Sequence, residues 1–408
     1  MKKLLTIAVA FMLVFSMTSM AAAADNLTTT GELRVRGHIK NTNSFNNDAD
    51  DGDMAFDERL RIAWKWAVAD GLSVNMRTDI HEGTWGINSG PVGRPNSTND
   101  FDRAWQVDRA YIRIDNPQYT LNVGEQYFSI GHGTTTPYNP NELGFGLRLK
   151  MPIRVELNWM KVSEGASDSD DGPDANSDTD LYAIQLSKWE KAWNAGLYWA
   201  MRKDYSDADN SPYVIGFFGK TGLGAVTVEG SFDYFGGDMN DTIDYVGTQF
   251  WLRLSTPFSK MTTVGFNGYF AAAEDADGTE QQINLISKFS GQSPHESFGL
   301  DGEIINVYPS GDIFDPFNTD QGVLGGDLML KHKASKTVTV GGHIGYAAAQ
   351  DDEVGPFDGA WYVLLGLQYN WLTNTTLGFQ GAMTNPSKND GSEEDVLWQL
   401  HSKLSMKF

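Results

Sequence analysis

The chain has no cysteine, which removes a disulfide framework, a thiolate metal site and a cysteine nucleophile together. It is also poor in positive charge. Against 53 Asp and Glu stand 31 Lys and Arg, for a formal net charge of −22. That balance argues against a nucleic-acid partner, because phosphate binding needs a basic surface. Beyond residue 24 no apolar run approaches the ~18 residues of a membrane-spanning helix. The seven histidines are scattered, with no His-x-His or His-Glu-x-x-His spacing, so a zinc site is not expected. Packing residues, by contrast, are plentiful: 22 Phe, 15 Tyr, 12 Trp and 43 Gly in 408 residues. Such a chain is not disordered.

The first 24 residues read as a signal peptide. Met1-Lys2-Lys3 is basic, Leu4 to Phe15 is apolar, and Ala21 to Ala24 supplies small side chains before a cleavage point at Asp25. Loss of Lys2 and Lys3 leaves 25–408 with a net charge of −24. No break in composition divides that remainder, which is expected to be one domain outside the cytoplasm.

Period-two alternation dominates it. Leu60, Ile62, Trp64, Trp66 and Val68 share one face of a strand whose other face carries Arg59, Arg61 and Lys65. Near the end, Val396, Trp398, Leu400, Leu404, Met406 and Phe408 oppose Gln399, His401, Lys403 and Lys407. Short connections at 69–71, 116–118, 151–152, 189–191, 220–222, 257–260, 333–336 and 372–374 alternate with ten long polar ones. The series predicts about 18–20 strands (range 16–20), the weakest being a hairpin within 280–306.

A soluble sandwich would bury the apolar face, whereas a transmembrane barrel turns it to lipid and solvates the polar face in a lumen. Strands of roughly ten residues at a ~45° tilt span about 23 Å, near the ~25 Å apolar band of such barrels. The short–long alternation of connections and the many Arg on inward-facing positions favour the barrel too. The expected fold is therefore all-β: an up-and-down antiparallel barrel with short periplasmic turns and long acidic outer loops. Trp64, Trp66, Trp189, Trp193, Trp251, Trp361, Trp371 and Trp398 are read as its interfacial girdle.

Acidity and basicity separate along the chain. The ten long segments carry −28, while the rest of 25–408 carries +4. Eleven of 13 Arg lie at or before Arg154. Arg34, Arg36, Arg59, Arg61, Arg77, Arg109, Arg113, Arg148 and Arg154 share the lumen-facing parity and form a candidate basic ladder. Two readings stay open: a field that steers small anions, or Arg merely paired with Glu32, Asp79, Asp115 and Glu156. Asp168 to Gly172 and Asp48 to Asp53 resemble calcium loops superficially, but Ser or Ala falls where a carboxylate is needed. Loosely bound divalent cations at the outer loops are the most that is expected. No enzyme is indicated. Gly216 to Thr221 ends in Gly-Lys-Thr, but Val214 stands where a phosphate loop needs Gly, and no Gly-x-Ser-x-Gly occurs.

The final strand, with aromatics or Leu at alternate places before Phe408, resembles the C-terminal signature of Gram-negative outer-membrane barrels. Val107-Asp108-Arg109-Ala110-Tyr111-Ile112, followed by Leu121-Asn122-Val123-Gly124-Glu125-Gln126, looks like strands 4 and 5 of the general trimeric porins. The pattern is also similar to major porins of sulfate-reducing bacteria. The resemblance implies a homotrimer in the outer membrane, contact with lipopolysaccharide, and an assembly machinery that reads Phe408. It further implies a loop after strand 5, here 129–142 with His132, Tyr138, Asn139 and Glu142, that folds into the pore. That loop is usually acidic, but here it carries only Glu142. Glu125, sharing parity with Leu121 and Val123, is a second departure; it is placed near the upper end of its strand. The expected function is a passive, water-filled diffusion channel for small hydrophilic solutes and ions, neutral to mildly anion-preferring. The alternatives are a substrate-specific anion channel and a structural or adhesin barrel with a plugged lumen.

Overall fold

The computed structural model describes residues 26–40, 53–84, 106–128, 130–131, 141–163, 178–205, 210–240, 243–272, 280–282, 322–350, 357–388 and 396–408. The first strands are β1 (Leu27–Lys40), β2 (Asp53–Ala69), β3 (Leu72–Thr84), β4 (Gln106–Asp115), β5 (Tyr119–Tyr127) and β6 (Asn141–Leu149). Then come β7 (Arg154–Ser163), β8 (Thr179–Trp189), β9 (Trp193–Asp204), β10 (Tyr213–Leu223), β11 (Val226–Asn240), β12 (Ile243–Pro257) and β13 (Thr262–Ala271). The series ends with β14 (Glu280–Gln282), β15 (Val323–Lys333), β16 (Val338–Ala348), β17 (Phe357–Leu372), β18 (Thr375–Lys388) and β19 (Leu397–Lys407).

Each wall strand pairs antiparallel with its neighbours, and β1 closes on β19 from Glu32↔Lys407 to Lys40↔Gln399. Closure leaves no open sheet edge, as a bilayer demands. The ring has 18 strands. β14 is not one of them: it lies parallel to Asp244–Val246 of β12, while β13 pairs along its whole length with β15. The direct β13–β15 pairing sets the count at the lower figure of the expectation, and the hairpin expected within 280–306 lies, beyond Gln282, outside the described residues. Residues 1–24, expected to be a signal peptide, and most of the long segments lie outside the described residues.

Seven of the eight short connections fall within a residue or so of their expected positions. The eighth is displaced. Lys220 and Thr221 continue β10 opposite Glu229 and Val228, and the chain turns at Gly224, whose φ is +65°. A glycine takes that left-handed conformation without strain, whereas β-branched Thr221 belongs in the strand. Both termini of the wall lie at this short-turn end. Leu27 sits opposite Trp66, and Phe408 exchanges backbone hydrogen bonds of 2.7 and 2.9 Å with Gly31.

The two faces of the wall differ as the alternation requires. Outside, Phe266, Leu328, Ile344 and Val363 form one row across β13, β15, β16 and β17. Leu328 and Leu365 are 64% and 63% exposed. A continuous apolar surface of this kind faces lipid, not water. Trp66, Trp189, Trp193 and Trp371 are exposed near the short turns, Trp361 and Trp398 near the opposite ends. Those are the two aromatic girdles of a membrane barrel. Trp251 does not belong to them: it faces inward, 1% exposed, beneath the guanidinium of Arg253 at 4.6 Å from its ring centroid.

The lumenal wall as candidate functional site

The inner face has two unlike halves. Along β8 to β17 it holds closely packed aromatic and apolar side chains and a network of buried polar ones. Asp327 accepts hydrogen bonds from Asn267 Nδ2 (2.9 Å) and Tyr362 OH (3.2 Å), and His343 Nδ1 lies 2.9 Å from it. Asn267 in turn accepts from Arg253 Nε at 2.9 Å, and Lys220 pairs with Glu229 at 3.1 Å. Asp233 is held by Tyr198 OH and by Gln249 Nε2. Asn267, Asp233 and Gln249 are without solvent exposure. The expectation of a uniformly solvated inner face is corrected here. Large aromatics such as Trp251, Tyr269 and Tyr362 fill the space, and polar groups so buried are tolerable because they are hydrogen-bonded.

The other half, β1 to β7, carries the nine predicted arginines, and each has a carboxylate partner. Asp57 takes Arg36 (2.9 Å) and Arg34 (3.9 Å), and Glu32 takes Arg59 (3.6 Å). Asp79 takes Arg61 (2.5 Å), and Asp115 takes Arg113 (3.1 Å). Glu156 takes Arg148 (2.7 Å) and Arg154 (3.5 Å). Register makes several of these pairs: Arg36 lies opposite Asp57, Arg61 opposite Asp79, and Arg148 opposite Glu156. Opposite charges at facing positions attract across the sheet.

Asp108 is the acid that strict alternation misplaces, onto the lipid side. Arg77 lies opposite Arg109 while Thr78 lies opposite Val107, so Asp108 is the extra residue of a β-bulge. A bulge re-aims side chains locally. Asp108 thereby meets Arg77 in direct contact, with Arg61 and Arg109 each at 3.9 Å. A parity break cannot be read from spacing; the only hint was an acid directly beside an inward-facing Arg.

Pairing does not make the ladder's surface neutral. In seven of ten of these Arg–carboxylate contacts the arginine is the more exposed member. Arg148 is 45% exposed over Glu156 at 10%, and Arg36 is 24% exposed over Asp57 at 7%. Among the described residues six carboxylates, Asp57, Glu32, Asp79, Asp108, Asp115 and Glu156, meet these nine arginines. In Arg34–Asp57, Arg59–Glu32 and Arg113–Asp115 the order is reversed and the carboxylate is the more exposed.

After β5 the chain turns inward. Phe128 and Ile130 are buried among Met160, Leu181, Tyr198 and Phe218, inner-face residues of β7 to β10. Gly131 N donates to Gln185 Oε1 at 2.8 Å, at a φ of +81° that suits glycine. Of the loop residues singled out by sequence, His132, Tyr138 and Asn139 lie outside the described residues. Glu142 is not in the loop: it belongs to β6, opposite Gln126. Glu125 stands on the outer face between Ala110 and Leu143, two residues from the upper end of β5.

A closed antiparallel wall, apolar and aromatic-girdled outside and charged within, defines the class: a transmembrane up-and-down β-barrel. No family model and no curated protein matches the sequence. Solved structures do match in fold. OccK11 (OpdR) of Pseudomonas aeruginosa aligns with a TM-score of 0.58 at 10% identity, covering 94% of this chain and 98% of that one. OccAB2 of Acinetobacter baumannii aligns with a TM-score of 0.60 at 9% identity, covering 94% and 98%. The Pseudomonas aeruginosa outer membrane protein opdK aligns with a TM-score of 0.57 at 10% identity, covering 93% and 98%. At such identities the likeness is one of architecture.

Proposed function

We propose that this chain is an outer-membrane porin, a passive channel in which small hydrophilic solutes and ions pass along the arginine-bearing half of the wall. It is neutral to mildly anion-preferring. One observation carries the reading: in seven of the ten arginine–carboxylate contacts along β1 to β7 the guanidinium is the more exposed member, so a passing ion meets the positive member of most pairs first. The acidic outer segments oppose this field from the mouth, where salt screens them beyond ~8 Å at physiological ionic strength. The same reading holds the chain as a homotrimer surrounded by lipopolysaccharide, with divalent cations loosely bridging outer carboxylates and Phe408 presented to the assembly machinery. The test is a single-channel recording across a KCl gradient. A reversal potential on the anion side or near zero supports the proposal, and strong cation selectivity at high salt sinks it. The packed inner face of β8 to β17 favours a second reading, an occluded barrel. Absence of any steady current would favour that one.

A further inference from the structure

We infer that the outer face of β12 to β17 holds one phospholipid of the periplasmic leaflet. Its anionic headgroup sits at Lys260 and Lys336, and an acyl chain lies in a groove over Gly342. The inference goes beyond the channel reading and needs only the barrel and its orientation in the membrane.

The groove is the first observation. Gly342 has the outward parity of β16, in one row with Val264, Leu330 and Leu365. Its outward neighbours are Leu330 and Leu365 across the sheet, and Val340 and Ile344 along its own strand. Four branched side chains around a residue with none leave a hollow. The hollow is part of a groove of about 1020 Å³, with Phe266 at the end farther from the turns. That volume lies at the top of the roughly 300–1,000 Å³ of small-ligand pockets. An apolar hollow facing lipid forfeits dispersion contacts until a chain fills it.

Depth names the leaflet. From Val338, the first residue of β16, to Ile344 are six residue steps. At ~3.3 Å each and a ~45° tilt they cover about 14 Å along the membrane normal, about half of the ~25 Å apolar band. The groove is thus confined to the leaflet at the short-turn end, which in an outer-membrane barrel is the periplasmic one.

Charge at that end is the second, independent observation. The turns 258–261 and 334–337 are adjacent, tied by Lys333 N donating to Met261 O at 2.8 Å. Lys260 and Lys336 in these turns are exposed and have no ion pair among the described residues. No Asp or Glu occurs in 251–273 or 328–350. Other lysines at the short-turn end do meet an acid: Lys150 meets Asp115 at 2.5 Å, and Lys188 meets Glu190 at 3.4 Å. Between the turns and the groove, in the outward row, Thr262 Oγ1 and His332 Nδ1 lie 2.9 Å apart. Polar groups there stand at the level where a phospholipid carries its ester oxygens. Cation, polar pair and apolar groove follow one another in the order of a lipid's phosphate, esters and chain.

Native mass spectrometry of the full-length barrel, extracted in detergent, tests this with phosphatidylglycerol and with phosphatidylcholine of the same chains. One phosphatidylglycerol per barrel is expected, with a Kd on the order of tenfold below that of phosphatidylcholine, as two lysines at a membrane surface supply. Lys260→Gln/Lys336→Gln should abolish that preference, whereas Lys188→Gln/Lys191→Gln, at the turn between β8 and β9, should keep it. Val340→Trp fills the groove with a side chain suited to the interface. It should weaken both lipids severalfold and leave the preference intact; if it does not assemble, Leu365→Trp on the opposite rim decides on the same terms. A parent without preference overturns the inference, as does an equal loss in the two lysine doubles or an unmoved affinity in the groove variant. A second copy of the chain seated on this face would show as an altered oligomeric mass in Val340→Trp with phosphatidylglycerol binding unmoved, and that too overturns it. The KCl reversal potential tests the channel reading separately, so the two can fail independently.

Discussion

Replacing Arg148 and Arg154 together by Gln removes the two most exposed guanidiniums of the ladder and leaves Glu156, 10% exposed, without them. The local charge of this group changes by two units, from positive to negative. An ion passing at roughly 6 Å interacts with one unit charge by about 0.7 kcal/mol in water, and screening over ~8 Å reduces this to about 0.3 kcal/mol. Two charges, acting oppositely on anion and cation, shift the relative permeability by about 1.3 kcal/mol, or about ninefold toward cations. In 1 M salt, where the screening length is ~3 Å, the same change shrinks to about twofold. The assay is the reversal potential in a KCl gradient, measured at both ionic strengths. A double variant whose permeability ratio stays at the parent value in low salt would refute the idea that ions pass beside these arginines. A shift of equal size in low and high salt would refute the electrostatic origin.

Other outcomes follow from the same structure. With no cysteine in the chain, single cysteines can be introduced one at a time: those in 41–56 or 348–358 should react with an impermeant maleimide on intact cells. Those at Ala225 or within 334–337 should react only after the membrane is opened, and surface reaction of the latter would invert the topology. Phe408→Ala keeps the backbone bonds to Gly31 but removes the terminal ring. It should lower the amount of heat-modifiable barrel in the outer membrane, and an unchanged amount would dismiss a role for that ring. Leu364, 1% exposed in the inner apolar cluster, should cost roughly 2–5 kcal/mol on replacement by Ala. Urea unfolding followed by tryptophan fluorescence reads this, and a midpoint equal to the parent would mean that the inner cluster is not packed.

The fold was legible because a membrane barrel writes itself into the sequence with period two. Lipid demands an apolar outer face, pairing demands antiparallel neighbours, and the short turns are confined to a few residues. That is why seven of the eight short turns could be read without coordinates. The displaced turn failed because Gly222 and Gly224 compete within one segment, and only pairing of Lys220 with Glu229 decides between them.

Sequence alone thus determined the strand pattern, the sign of each face and the concentration of arginine in the first seven strands. Tertiary structure decided how those charges are used. Which carboxylate meets which guanidinium depends on register between strands that can be far apart in the chain, and in β4 on a bulge that turns Asp108 inward against its parity. Ring closure fixed the strand number at 18, because β13 and β15 pair directly across the long segment between them. Trp251 faces inward beneath Arg253 two residues on, and the apolar clusters of the inner face join side chains of neighbouring strands that only the register brings together. Period two says which way a residue points; only closure and register say what it meets there.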